Sequence, residues 1–285
     1  MKLIRVPRRD LSPWRDLAPH MWRRPDYPVA YGLMDIDVRD ALAAIGELRT
    51  SEDVPVTINH LVIKACANAL VAVPEANCLV MRWGVYRRPT IDIFALVDLD
   101  DGRDLMGVTL REVDRMSVLD IARTLHEETE KLRGMRGARP QDPRRALRGV
   151  PRFLRRSLLR LTDFVIHELG IEPPGMGASR NQFGGVSVSF LGSYSDGGPL
   201  AGLPPLMMPI GRVAVAISVG RAFPRPVAIG RRVEIRPVMP VGASVDHRLL
   251  DGVQVNRLAS TFRATLERPW DAVRTASASP LADVS

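Results

Sequence analysis

"MPVGASVDHRLLDG", residues 239–252, closes an apolar alternation with a histidine between an aspartate and an arginine, and places Asp-Gly four and five positions after that histidine. The alternation reads as a strand. The amphipathic run that starts inside the motif, "GVQVNRLASTFRATLER", reads as a helix. His247, one of five histidines in the chain, therefore falls at a strand-to-helix junction. A histidine held there can keep one ring nitrogen toward a cleft. Imidazole titrates near neutrality, so it can take a proton from a thiol or hydroxyl and return it within one cycle. Asp251, one helical turn along, is expected to pin the local backbone through an ion pair, and Gly252 leaves room for close approach by chain or ligand. H-x-x-x-D-G is a short pattern, and a junction that uses Asp and Gly only to reverse the chain fits the same residues.

Upstream, "RPVAIGRRVEIRPVMPVGASVDH" predicts a hairpin about Gly230-Arg231 whose second strand runs on to His247. "RVAVAISVG" (212–220) is apolar on both faces and predicts a central strand. In "GGVSVSFLG" (184–192) the apolar residues alternate with Ser187 and Ser189, which places both hydroxyls on one face of a strand. Nearer the start, "AYGLMDID" (30–37) predicts a strand and "VRDALAAIGELRT" a helix. Apolar residues at three- and four-residue steps from Thr57 to Val73 mark a core-facing helix that Pro74 stops. Three strands are expected next, "CLVMRWGVY", "TIDIFALVDL" and "DLMGVTL", the last two joined at "DDG". Ser117 then opens a helix, with Asp120 completing an acidic capping box and Gly134 at its end.

With 285 residues, 46% of them hydrophobic, the chain can bury one large core or two small ones. The start carries charges but no apolar signal region, and no run of eighteen apolar residues occurs, so a cytoplasmic location is expected. Cys66 and Cys78 lack the spacing of a metal site or a disulfide framework and read as buried thiols. The net charge of +8 raises nucleic acid as a partner, but the excess is concentrated in "RRALRGVPRFLRRSLLR" (144–160), with seven arginines and no interleaved aromatics or zinc spacing. No nucleic acid partner is expected.

That segment lies in a stretch, 137–180, that breaks the rhythm of the chain. Val150, Phe153, Leu154, Leu158, Leu161, Val165 and Leu169 share one face of a helix, while Arg148, Arg152, Arg155 and Arg156 crowd the remainder. Two readings stand: a surface helix with its apolar face on the core and its guanidinium groups in water, or a helix that binds a membrane surface or an acidic partner.

"MPVGASVDHRLLDG" resembles the active-site segment of the dihydrolipoamide acyltransferases, the catalytic cores of 2-oxo acid dehydrogenase complexes, whose motif is D-H-R-x-x-D-G. "INHLVIKACANALVAVPEAN" is similar to the family helix ending Pro-Glu-Leu-Asn, "SVLDIARTLHEETEKLRG" to its Ser-Leu-x-Glu-Leu-Ala helix, and "GGVSVSFLGS" to its Gly-Gly-x-Phe-Thr-Ile-Ser-Asn-x-Gly. The blocks keep the family's order and cover about residues 28–136 and 181–270. The resemblance implies an α/β fold: a two-layer chloramphenicol acetyltransferase-like sandwich, a mixed sheet with helices packed on one face. It divides the chain into an arm (1–28), a catalytic domain (29–272) with a basic helical insert (137–180), and a tail (273–285).

It also implies a chemistry. His247 takes the place of the general base that deprotonates coenzyme A, and Ser189 that of the oxyanion donor, with Ser187 two residues away as its alternative. Asp251 takes the place of the structural motif aspartate, with Arg15 a candidate partner, and Asp246 and Arg248 hold the loop. Coenzyme A enters as a substrate, and no metal is needed. A homotrimer, or a multiple of trimers, is expected to set the histidine of one subunit against the serine of the next.

This chain departs from the family in several ways. No lipoyl attachment or peripheral subunit-binding domain is expected, so a separate lipoylated carrier would deliver the acyl group. The insert is longer than the family's connection, and the C-terminus lacks an apolar tail. Phe190 replaces the family Asn and is expected to reshape the acyl pocket. The leading expectation is a CoA-dependent acyltransferase acting on a thiol such as dihydrolipoamide. The alternatives are a chloramphenicol acetyltransferase-like O-acyltransferase on a small alcohol and a non-catalytic trimeric assembly protein.

Overall fold

The computed structural model of the protein describes residues 28–51, 55–81, 84–98, 105–134, 149–171, 179–192, 202–206 and 211–274. In chain order the elements are β1 (Val29–Asp37), α1 (Arg39–Ser51), α2 (Ile58–Ala72), β2 (Cys78–Met81), β3 (Gly84–Arg87), β4 (Ile93–Asp98), β5 (Leu105–Leu110), α3 (Val118–Gly134), α4 (Arg152–Asp163), β6 (Val186–Phe190), β7 (Val215–Val219), β8 (Phe223–Ile229), β9 (Arg232–Asp246), α5 (Gly252–Glu267) and α6 (Trp270–Arg274). The arm, the tail and the "DDG" turn fall outside the described residues, apart from Pro28 and the tail's first two positions.

The strand that ends at Asp246 organises the sheet. At 15 residues it is long enough to pair with β8 through its first half and to lie between β1 and β7 through its second. Gly230, at φ 59°, opens the two-residue turn that joins Ile229 to Arg232, as the hairpin reading expects. The seven strands run β1-β9-β7-β6-β4-β5 with β8 also on β9. The β4–β6 and β6–β7 joints are parallel and the rest antiparallel. β7 is buried along its whole length, as a strand apolar on both faces should be.

Side chains alternate across this sheet and give it two unlike faces. Val186 and Val188 on β6, Ile217 on β7 and Val241 on β9 join one core with Leu61 and Leu70 of α2 and Phe262 and Leu266 of α5. This is the helix-covered layer. The other face carries Ser187, Ser189, Ser218 and Gly242 in the interior strands and, on β1, Tyr31 and Leu33, which are 61% and 66% exposed. The two-layer arrangement inferred from the sequence is therefore present.

A short strap, residues 202–206, crosses the second face. Ser218 Oγ donates to the Gly202 carbonyl, and Leu206 packs on Ala216. Gly242 makes this crossing possible, because a Cβ there would drive into the Gly202 carbonyl oxygen. Gly242→Ala is expected to cost about 1–3 kcal/mol, the usual penalty for overpacking. Urea unfolding measures it; an unchanged midpoint would mean that the strap moves aside freely.

At the start of α2, Thr57 forms a capping box with His60, whose Nδ1 accepts the Thr57 N–H at 3.0 Å. Burial, helped by Arg49, pushes the His60 imidazole down to about 4, so the folded protein holds it neutral. The unfolded chain then binds more protons than the native one between about pH 6.5 and 4, and stability rises with pH across that window. His60 is expected to withdraw up to about 3 kcal/mol as pH falls through it. His60→Gln should flatten that part of the stability profile in denaturant titrations at successive pH values.

Two segments differ from the sequence reading. "CLVMRWGVY" is a hairpin of its own, with Cys78 opposite Arg87 and Met81 opposite Gly84, because Gly84 at φ 142° breaks the strand. α4, which continues as one π-helical turn through Glu168, does not lay its apolar stripe on the core. Phe153 is 80% exposed and Leu154, Leu158, Leu161 and Leu169 also face outward; Arg155, Leu159, Ile166 and His167 are buried instead.

The reason is a set of charged contacts on the inward side. Arg212 bonds Asp163 and Glu168, each at 2.8 Å, His167 Nδ1 lies 2.9 Å from Asp163, and Arg180 Nε donates to the Ile166 carbonyl. Burial alone would raise the Asp163 carboxyl, but the hydrogen bonds from His167 and Arg212 outweigh it and hold the group below the usual carboxylate range. Partly buried, charge-assisted bonds of this kind orient the helix more strongly than its apolar stripe does. The reading of a helix with its apolar face on the core is thus corrected.

Candidate active site

His247 occupies the first position of the turn between β9 and α5. The residue before it, Asp246, is buried, and its carboxylate accepts from the backbone N–H of Arg248 at 3.0 Å and from Arg248 Nε at 2.9 Å. Asp246 N–H donates to the Ala214 carbonyl, while the amides of Leu249 and Leu250 donate to the Asp246 carbonyl. The motif aspartate and arginine hold the loop as expected. The His247 backbone N–H donates to the Pro28 carbonyl at 2.8 Å, which ties the turn to the entry of β1.

The imidazole is fixed by one further bond. Its Nδ1 lies 2.7 Å from the carbonyl oxygen of Leu250, a residue whose side chain is fully buried. A carbonyl only accepts, so Nδ1 carries the hydrogen and donates it. The lone pair of the neutral ring is then on Nε2, and the side chain is exposed. This tautomer suits a general base: an oriented ring whose lone pair is on Nε2.

Asp251 serves that geometry as a helix cap. It is the N-cap of α5: its carboxylate accepts from Val253 N–H at 2.9 Å, and Gln254 completes the capping box. The cap is the role seen for Asp251; Arg15, its expected ion-pair partner, lies outside the described residues. The cap fixes where α5 begins and so fixes the Leu250 carbonyl just ahead of it. Beside Gly252 the space is open among the described residues, with no contact beyond its own helix and chain neighbours within 4 Å of where a Cβ would stand.

On β6, Ser187 and Ser189 do project from one face, and burial separates them. Ser187 is 6% exposed, whereas Ser189, two residues nearer the strand end, is half-exposed. Ser189 is the more accessible of the two hydroxyls. Phe190 packs against the helix-side core, on the opposite face of β6 from Ser189.

Ser189 and His247 do not meet within one chain. Ser189 stands in register with Ser218, and Ser218 with Gly242, which precedes His247 by five residues on β9. Strand geometry then puts the two about 17 Å apart along β9 and about 10 Å apart across two strand spacings, so about 20 Å in all.

Sequence reasoning missed three features here: the Leu250 carbonyl, the Pro28 tether and the strap over Gly242. The last had a signal, since an isolated glycine in an apolar strand often marks a close approach of backbone.

Comparison with known proteins follows the same outline. Residues 14–142 and 192–274 match the family described as 2-oxoacid dehydrogenases acyltransferase (catalytic domain). His247 and Asp251 fall within the match. Ser189 and most of the insert lie in the gap. The mitochondrial dihydrolipoyllysine-residue succinyltransferase component of the mouse 2-oxoglutarate dehydrogenase complex is 30% identical over 209 residues, which is 73% of this chain and 36% of the mouse protein. The chain thus spans about a third of the length of that relative. Among solved structures, dihydrolipoamide acetyltransferase of Azotobacter vinelandii superposes with a TM-score of 0.67 at 19% identity, covering 95% of this chain and 94% of the other. The cubic core of a pyruvate dehydrogenase multienzyme complex superposes with a TM-score of 0.66 at 20% identity, with the same coverage. These similarities support the α/β two-layer fold.

Proposed function

The chain belongs to the 2-oxoacid dehydrogenase acyltransferase catalytic-domain family, and we propose from that premise that it moves an acyl group between coenzyme A and the thiol of a dihydrolipoyl carrier. The observation that carries this reading is the tautomer of His247, with Nδ1–H held by the Leu250 carbonyl and the lone pair on Nε2 of an exposed side chain.

Nε2 takes the proton of the coenzyme A thiol, and the thiolate attacks the carbonyl carbon of the acyl-dihydrolipoyl thioester. The new C–S bond gives a tetrahedral oxyanion, to which Ser189 Oγ donates a hydrogen bond. Collapse breaks the bond to the dihydrolipoyl sulfur, which recovers the proton from the imidazolium. Acyl-CoA and a dihydrolipoyl thiol leave, and the base is regenerated. No metal takes part in this sequence.

The separation of about 20 Å supports a pairing of His247 of one subunit with Ser189 of another, and a homotrimer with heterologous contacts would supply that pairing three times. The exposed Tyr31 and Leu33, on the sheet face away from the helices, are suitable material for the contact. Assembly into the cubic core of one structural neighbour agrees with a subunit of this shape joining others. A separate lipoylated protein is the proposed carrier.

The test is conversion of acetyl-CoA and of succinyl-CoA to coenzyme A, resolved chromatographically, with dihydrolipoamide as acceptor. Turnover with either donor supports the proposal. Absence of turnover with both, in protein of confirmed fold and oligomeric state, would overturn it.

A further inference from the structure

We propose that the outward face of α4 docks on an anionic membrane surface. Phe153, Leu154, Leu158, Leu161 and Phe164 fall within an arc of about 140° around the helix at 100° per residue, and all five are exposed, Phe153 by 80% and Leu161 by 58%. Arg156 and Arg160, one turn apart and both exposed, border that arc. The apolar arc cannot simply roll inward. The opposite side of the helix is committed to Arg212 through Asp163 and Glu168, and rotation would leave those partly buried charges unpaired.

Charge selects the occupant. Residues 144–160 hold seven arginines and no acidic residue. Face-to-face packing of two copies would bring Arg156 and Arg160 of each against like charge. An anionic lipid surface pairs guanidinium groups with phosphates while its acyl region receives Phe and Leu. No helix among the described residues is long and apolar enough to cross a membrane, which leaves α4 lying in the interface plane.

Co-sedimentation of the full chain with vesicles tests this, using phosphatidylcholine alone and an equal mixture with phosphatidylglycerol. Binding is expected to the mixed vesicles only and to weaken with salt. Phe153→Asp with Leu161→Asp should lower the apparent affinity at least about tenfold, and Arg156→Gln with Arg160→Gln should reduce both affinity and salt dependence. Thermal melting should match the parent, because these side chains are exposed. Should the aspartate pair unfold the chain, Phe153→Ala with Leu161→Ala makes the same comparison with a smaller loss. Wild-type protein that stays in the supernatant, or aspartate variants that bind as well as wild type, would overturn the proposal. So would an oligomer that the aspartate pair dissociates when vesicles are not bound, which would assign the face to a second copy. Capture by an acidic protein without vesicle binding would assign it to a protein partner.

Discussion

Replacement of His247 by alanine is expected to lower kcat for acyl transfer by about 10³-fold, within the range that a positioned general base contributes. The Michaelis constant for coenzyme A should change only a few-fold, because the imidazole acts on the thiol proton and not on the bulk of the ligand. The fold should survive. The ring makes one side-chain hydrogen bond, to the Leu250 carbonyl, while the clamp between Asp246 and Arg248 and the Asp251 cap depend on other atoms. A melting temperature within a degree or two of wild type would therefore accompany the loss of rate. Steady-state assays with dihydrolipoamide, alongside differential scanning calorimetry, separate the outcomes: turnover close to wild type would remove His247 from the chemistry.

The second large effect is intersubunit complementation. Ser189→Ala, which removes one oxyanion donor, is expected to lose about 10²–10³-fold in kcat. Mixed with His247→Ala under conditions that exchange subunits, the two inactive proteins should regain activity. In a cyclic trimer with random equal mixing, a site is intact only when its histidine donor carries the Ser189→Ala change and its serine donor carries His247→Ala. About a quarter of sites meet that condition, so recovery of about a quarter of wild-type turnover is expected. If both groups came from one chain, no mixture could recover anything. A flat result across all mixing ratios, with exchange verified by mass spectrometry, would refute the shared site.

What the sequence made legible was local. β9, the turn and α5 follow from alternation, then Asp-Gly, then a helical stripe, and each signal lies within a few residues of its effect. The hairpin at Gly230 and the box between Ser117 and Asp120 are of the same kind. α4 shows where that kind of reading stops. Periodicity locates its apolar stripe but does not say which way the stripe faces. Direction depends on Arg212, some fifty residues further along the chain, meeting Asp163 and Glu168. Asp251 is the N-cap of α5, a role the sequence reading did not name, because a capping aspartate and an ion-paired one look alike until the helix N–H groups are seen. Residue type nominated both Ser187 and Ser189. Position along β6 decides which of them reaches the surface.

The Pro28 to His247 bond and the β1–β9 ladder join residues that lie near opposite ends of the chain, with Val29 opposite Asp246. At typical synthesis speeds β1 waits roughly 10–40 s on the ribosome before its partner strand exists. During that time Tyr31 and Leu33 stand on an unpaired strand edge, where another nascent chain can find them. Folding that depends on so distant a pairing is slow, and the catalytic turn is organised near its end. Newly made chains are therefore expected to need chaperone protection early and to become competent for acyl transfer late.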